Sequence, residues 1–252
     1  MATSYTAADI EVLEGLEPVR KRPGMFIAGT DTPAGLHQLI FEILDNSVDE
    51  AMNGHADLIQ VTLHKDHSSV TVSDNGRGIP VEKHPKFKKP ALALILTTLH
   101  AGGKFSDKNY RTAGGLHGVG SSVVNALSEE LVATIRRGGK EFEQKFKRGV
   151  AKGPLKVLKE SIRGTGTKIF FRPDPEIFAK IKFDPAIVRN SVQTKAYLNP
   201  GLKLTFTDEA LGTTEEYHFA DGLVAYLRTI LADRKTKVIG DEPFYLERKN
   251  DI

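Results

Sequence analysis

No cysteine occurs in the 252 residues, which excludes disulfides, thiolate metal sites and cysteine nucleophiles, and fits a reducing compartment. Long apolar runs are missing too. Nowhere do roughly eighteen apolar residues follow one another, and the start, Met1-Ala2-Thr3-Ser4-Tyr5, lacks the basic and apolar stretches of a signal peptide. A cytoplasmic location with no membrane partner is the expectation. Neither sign of charge dominates, with 35 Lys and Arg against 32 Asp and Glu. Basic residues are dispersed apart from short clusters at Arg20 to Arg22, Lys86 to Lys89 and Arg136-Arg137, so the balance does not by itself announce nucleic-acid binding. Several phosphate-handling signatures are also absent: the P-loop, the dinucleotide fingerprint, and the kinase Asp-Phe-Gly and His-Arg-Asp. The eight histidines form no metal set, and His64 and His67, flanking a predicted turn, are expected to be exposed. There is no internal repeat and no low-complexity segment.

What is present suffices for a sizeable core, since 40% of residues are apolar. Asp9 ahead of Ile10, Leu13 and Leu16 predicts a short capped helix ended by Gly15 and Pro18. A longer helix is predicted over 33–52, where Leu36, Leu39, Ile40, Ile43, Leu44, Val48 and Ala51 recur at helical spacing and Gly54 stops the run. Alternation over 58–64 and 69–73 signals a β-hairpin. A loop-rich stretch follows, holding one apolar segment, 91–99, before a helix over 121–127. Strand-like runs at 131–136, 141–146, 155–158 and 166–172 precede a helix over 186–197 capped by Asp184, strands at 202–207 and 215–219, and a helix over 222–231 leading to a polar tail. Runs of strands with helices set apart imply an α+β layer architecture and not a doubly wound sheet.

Three constellations carry chemistry. On the long helix Glu42, Asn46 and Asp49 stand at i, i+4 and i+7, with Asp45 and Glu50 close by. A solvated polar face is the plain interpretation, but asparagine is a poor mid-helix residue, and an oxygen ligand for Mg²⁺ is the functional alternative. Asp74-Asn75-Gly76-Arg77-Gly78-Ile79-Pro80 follows a strand. A turn explains most of it. Turn chemistry does not require Arg77, Ile79 or Pro80, and an Asp at a strand end can accept from an exocyclic amine such as that of adenine against an apolar wall. Gly114-Gly115-Leu116-His117-Gly118-Val119-Gly120 then leads into a helix, with Gly102-Gly103-Lys104 upstream. It is either a flexible linker or a cradle whose N–H groups and nearby cation suit a polyphosphate.

In that order and spacing, Glu42 to Asn46, Asp74 to Gly78 and Gly114 to Gly120 resemble the three nucleotide-binding motifs of the superfamily that holds gyrase, ninety-kilodalton heat-shock chaperones, MutL and histidine kinases. Four further stretches narrow the resemblance: Arg22-Pro23-Gly24-Met25, Asp45 to Ala51, Thr97 to Phe105 and Gly115 to Gly120 are similar to the B subunits of bacterial type IIA topoisomerases, gyrase or topoisomerase IV, over roughly residues 8–230. The resemblance implies a two-layer, Bergerat-type α+β fold, with a mixed, mainly antiparallel sheet on helices. It implies ATP and Mg²⁺ as cofactors, Glu42 as general base and Asn46 as metal ligand. Asp74 would take the adenine amine with Thr167 beside it, and Arg77 would pair with Glu50 along a pocket closed by Gly78, Ile79 and Pro80. Gly102, Gly103, Lys104, Tyr110 and the Gly115, Leu116, His117, Gly118, Val119 and Gly120 run would form the lid over ribose and phosphates. Arg137 matches the position that contacts aminocoumarin inhibitors, with Asp74, Arg77, Pro80 and Thr167. Tyr5 and Ile10 would belong to an N-terminal arm that swaps between subunits when ATP drives homodimerisation and gate closure.

The implied organisation is an arm over 1–15, an ATPase domain over 16–232, and a tail over 233–252 leading toward a mostly absent transducer domain. DNA and the A subunit of gyrase or topoisomerase IV would be partners through the full-length enzyme, which uses ATP for strand passage and, in gyrase, negative supercoiling. A fragment of this extent is expected to bind ATP and hydrolyse it weakly. Two features depart from the pattern. Gln38 stands where gyrase subunits often have His, and Gln cannot titrate near neutrality. Gln193-Thr194-Lys195 spells a transducer motif but sits inside a predicted helix well upstream of that domain. A histidine kinase ATP domain is the rival reading, and it would require a phosphoacceptor helix. A chaperone or mismatch-repair ATPase is disfavoured by the 97–105 segment, and a module that binds ATP without hydrolysing it is a further alternative.

Overall fold

The computed structural model describes residues 6–103 and 118–235, with Phe244 and Leu246. Among these, eight strands form one sheet: β1 (Leu58–Leu63), β2 (Val70–Asp74), β3 (Ser128–Arg137), β4 (Lys140–Lys147), β5 (Val150–Glu160), β6 (Gly166–Pro173), β7 (Lys203–Asp208) and β8 (Thr213–His218). Their order is β5-β4-β3-β6-β2-β1-β7-β8. Every neighbouring pair is antiparallel except β1 with β7. Alternation decides which face is covered. Ile59, Val61, Leu63, Val70, Val72, Leu131, Ala133, Ile135, Ile169 and Phe171 are buried, every second residue along their strands. Helices α1 (Glu17–Lys21), α2 (Pro33–Met52), α3 (Ala91–Thr97), α4 (Gly120–Ala126), α5 (Pro185–Leu198) and α6 (Leu223–Asp233) complete the described fold. The two-layer mixed sheet expected from the sequence is the one observed.

The long helix runs over the predicted span, and Leu36, Leu39, Ile40, Ile43, Leu44 and Val48 form its core stripe. Asp184 caps α5 as expected, its carboxylate accepting from Ala186 N at 2.8 Å. The helix expected over 10–16 is not there. Asp9 reaches back to Thr6, accepting from its N (2.7 Å) and Oγ1 (2.9 Å), and so closes a 3₁₀ turn at Ala7–Asp9 in place of capping a forward helix. Pro18, expected to end a helix, lies in the first turn of α1, where no amide hydrogen is needed. His64 and His67 are also more enclosed than expected. His67 Nε2 lies 2.9 Å from the fully buried Asp208 and His64 Nδ1 lies 3.1 Å from Glu209, tying the β1–β2 turn to the end of β7.

One buried ion cluster locks the strand layer to the helices. Asp174, just past β6 and fully buried, lies 2.8 Å from both Arg20 Nη2 and Arg148 Nε. Burial pushes its carboxyl up, but the Glu176 amide and the two guanidinium groups hold it below its ordinary 3.8. A depressed folded value means that this stabilisation is present above about pH 4 and lost as pH falls. Asp174→Ala is expected to destabilise the fold by about 1–3 kcal/mol, since it leaves the partly buried Arg20 and Arg148 only the exposed Glu176 as a shared anion; denaturant titration at pH 7 measures it.

Candidate functional site

A cavity of about 730 Å³ opens between α2, the end of β2 and the loops around α3 and α4. The α2 residues that face it follow one stripe, Ile43, Asn46, Ser47 and Glu50, flanked by Glu42 and Asp45. Asp49 lies off this stripe; it does not line the cavity and is buried, 1% exposed.

Asp74 ends β2 directly opposite Thr167 in the β2–β6 ladder, and this register puts the two side by side. Its Oδ1 accepts from Gly76 N (2.9 Å) and Thr167 N (3.2 Å), and its Oδ2 accepts from Ser47 Oγ (2.9 Å). Burial pushes the Asp74 carboxyl above its ordinary value, with the nearby Glu50 carboxylate adding to the rise and the three hydrogen bonds opposing it. Two glycines permit this packing. A Cβ on Gly166, at φ +152°, would fall 2.2 Å from Asp74 O, and one on Gly78, at φ +73°, would fall 2.7 Å from Arg136 O.

Arg77 closes one wall by a two-pronged pair with Glu50, Nη2 to Oε1 at 2.7 Å and Nε to Oε2 at 3.1 Å, and its own N–H also donates to Oε2. Ile79 and Pro80 continue the wall, with Ile79 N donating to Thr167 Oγ1 at 3.3 Å. Arg137, at the end of β3, reaches the mouth and donates to the Arg77 and Gly78 carbonyls at 3.2 and 3.0 Å.

At the other end Glu42 Oε1 accepts from Gln38 Nε2 at 2.7 Å, and Asn46 Nδ2 donates to Ser121 Oγ at 3.0 Å, joining α2 to α4. Gly120 packs directly on Glu42: a Cβ there would stand 2.2 Å from Oε2. Gly102, Gly103, Gly118, Val119 and Gly120 all line the cavity. Lys104, Tyr110, Gly115, Leu116 and His117 lie outside the described residues, as does Tyr5. Ile10 is described and 60% exposed.

Sequence reasoning missed Ser47, Ser121, Met25, Phe26, Ile95 and His100, which also line the cavity. For Ser47 a signal existed. Serine is as poor a mid-helix residue as the asparagine beside it. The others come together only through tertiary packing. Lys195, the last residue of the Gln-Thr-Lys triplet, sits in α5 and lies 2.5 Å from Asp45 Oδ1.

Residues 31–177 match the family described as histidine kinase-, DNA gyrase B- and HSP90-like ATPase. The chain is 49% identical over 254 residues to the B subunit of DNA gyrase from Archaeoglobus fulgidus, covering 99% of this chain and 39% of that protein. It is 51% identical over 231 residues to the B subunit of DNA topoisomerase 4 from Rickettsia bellii, covering 89% of this chain and 35% of the relative. A crystal structure of the 43K ATPase domain of Thermus thermophilus gyrase B in complex with an aminocoumarin superposes with a TM-score of 0.82 at 42% identity, covering 94% of this chain and 59% of that one. The chain thus spans little more than a third of the length of these curated relatives. Among the described residues, no helix is long and apolar enough to cross a membrane.

Proposed function

Because the chain belongs to the histidine kinase-, DNA gyrase B- and HSP90-like ATPase family, we propose that its cavity binds and hydrolyses ATP as the ATPase domain of a type IIA topoisomerase, in its B subunit. One observation carries the reading. A half-buried carboxylate, Asp74, is held by three donors at one end of a cavity whose other end sets Glu42 against the backbone of Gly120. The first end suits an adenine amine, and the second suits a triphosphate and the water that attacks it.

Asp74 accepts the adenine amine, with Thr167 and the Ile79-Pro80 wall framing the base. Gly102, Gly103 and the Gly118 to Gly120 backbone approach the phosphates, helped by Lys104, Tyr110, Gly115, Leu116 and His117. Glu42 takes the proton from the attacking water, and the Gln38 amide fixes its Oε1. Since Asn46 commits Nδ2 to Ser121, its Oδ1 is the atom to hold Mg²⁺. Held there, the ion would supply positive charge against the phosphate oxygens. Asp74, Arg77, Pro80, Arg137 and Thr167 also form an aminocoumarin-type inhibitor site. The ATPase domain extends over 16–232. Residues 1–15, with Tyr5 and Ile10, act as an exchanged arm in a homodimer, and DNA and an A subunit are partners of the full-length protein.

Calorimetric titration with a non-hydrolysable ATP analogue tests the reading; absence of saturable binding would overturn it. Because the folded carboxyl of Asp74 is raised by burial and must be ionised to accept best, analogue affinity is expected to fall on acidification already above the ordinary carboxylate range. A decline confined to the ordinary carboxylate range contradicts this. Gly120→Ala tests the other end. The new methyl displaces the Glu42 carboxylate, and turnover drops by about a hundredfold while analogue binding and melting temperature change little. Gyrase and topoisomerase IV are separated by pairing the full-length protein with each A subunit and assaying negative supercoiling.

A further inference from the structure

Behind the nucleotide cavity lies a second one of about 930 Å³, within the size range of small-molecule sites. Its floor is apolar, from Leu16, Val81, Ala93 and Leu155. Lys83 and Lys89 line one side and have no anionic partner among the described residues. They stand in one tight loop, closed by the Lys83–Pro90 bridge and by His84 N donating to Lys89 O at 2.8 Å. Glu14 and Glu17 line the cavity too, so an anionic head group belongs at the lysine side. The wall also contains Gln144, 4% exposed, whose Nε2 donates to Gly153 O while its Oε1 has no donor among the described residues. A buried amide oxygen left unmet costs about 1–3 kcal/mol, which a ligand N–H or O–H would recover.

This cavity touches the elements that shape the first. α3 is the partition between them: Ala93 and Thr97 face the back cavity, and Ile95 and Leu96 face the nucleotide cavity. The fully buried Asn125 of α4 donates to Leu96 O at 2.7 Å, coupling α4 to α3. Arg20, which lines the back cavity, donates to Ala126 O at 2.7 Å and so holds the last residue of α4, whose first residue, Gly120, packs on Glu42. A body inserted behind α3 therefore bears on both the adenine-side wall and the Glu42–Gly120 contact.

We propose that this back cavity is a second ligand site, taking a small amphipathic anion with an N–H or O–H donor on its apolar body, and that its occupancy alters nucleotide affinity through α3 and α4. The coupling half rests on the ATP reading; the binding half does not. Octanoate is the probe for the anionic and apolar elements, with octylamine as the control of opposite charge, added to the 252-residue chain carrying labelled methyl groups. The expected result is saturable movement of the Ala93 and Thr97 methyl resonances with octanoate, smaller with octylamine and lost in Lys83→Ser/Lys89→Ser. Octanoate should also shift the affinity for a non-hydrolysable ATP analogue by about fivefold or more, while the double variant binds the analogue normally without octanoate. No saturable shift, a shift confined to Ile95, or one that persists in the double variant overturns the site. Saturable binding with unchanged analogue affinity overturns the coupling. If the analogue does not bind at all, the ATP reading fails, and the Ala93 and Thr97 resonances still decide the site.

Discussion

Asp74→Asn is expected to weaken binding of a non-hydrolysable ATP analogue by at least about a hundredfold, a loss of roughly 3 kcal/mol. The reason is the arrangement of donors around the carboxylate. Oδ1 already accepts two backbone N–H groups, which oblige an asparagine to keep its oxygen there. Its NH₂ then occupies the Oδ2 position, where Ser47 Oγ donates in the native protein. The hydroxyl can turn and accept, but an adenine amine arriving on that side meets a donor. Two donors facing each other in a buried site lose the hydrogen bond and the desolvation cost together. Calorimetry decides it, with circular dichroism to confirm the fold; undiminished affinity in the variant sinks the assignment of Asp74 to the base.

Glu42→Ala is expected to leave analogue affinity within about threefold and to reduce ATP turnover by about a hundredfold or more, the scale of a lost general base. The separation follows from position. Glu42 stands on the flank of the cavity stripe, with its carboxylate between the Gln38 amide and the Gly120 backbone, away from Asp74. Removing it takes away the proton acceptor but none of the groups proposed to grip the base. Turnover by phosphate release, measured beside calorimetry on the same preparation, checks both halves. A fall in affinity matching the fall in turnover would assign Glu42 to binding instead. Gln38→Ala serves as a companion, since it retains the carboxylate but frees its Oε1.

Much of the site was legible in the chain because its members are local in sequence. Glu42 and Asn46 are one helical turn apart, the Asp74 to Pro80 turn is continuous, and the glycine-rich turn runs directly into α4. Asp49 lies outside the cavity lining because helical spacing gives a side chain's angle around the axis, not which part of the circumference faces the cavity. Ser47 and Glu50 share the cavity stripe with Asn46, and Asp49 does not. The helix expected after Asp9 failed for a related reason. An acidic residue ahead of apolar ones reads as a cap, yet Asp9 found the nearer donors of Thr6.

Residue order alone was enough to specify the span of α2, the strand alternation, the α+β class and the residues from which the proposed acceptor, base and glycine-rich run are drawn. These follow from short-range periodicity and residue type, which require no knowledge of what packs where. Their assembly came from the folded molecule. The β2–β6 register placed Thr167 against Asp74 across 93 residues, α4 packing brought Ser121 to Asn46 across 75, and α3 became a wall shared by two cavities. Such contacts join residues far apart in the chain, and their partners are fixed by strand pairing and core packing, which no local pattern encodes.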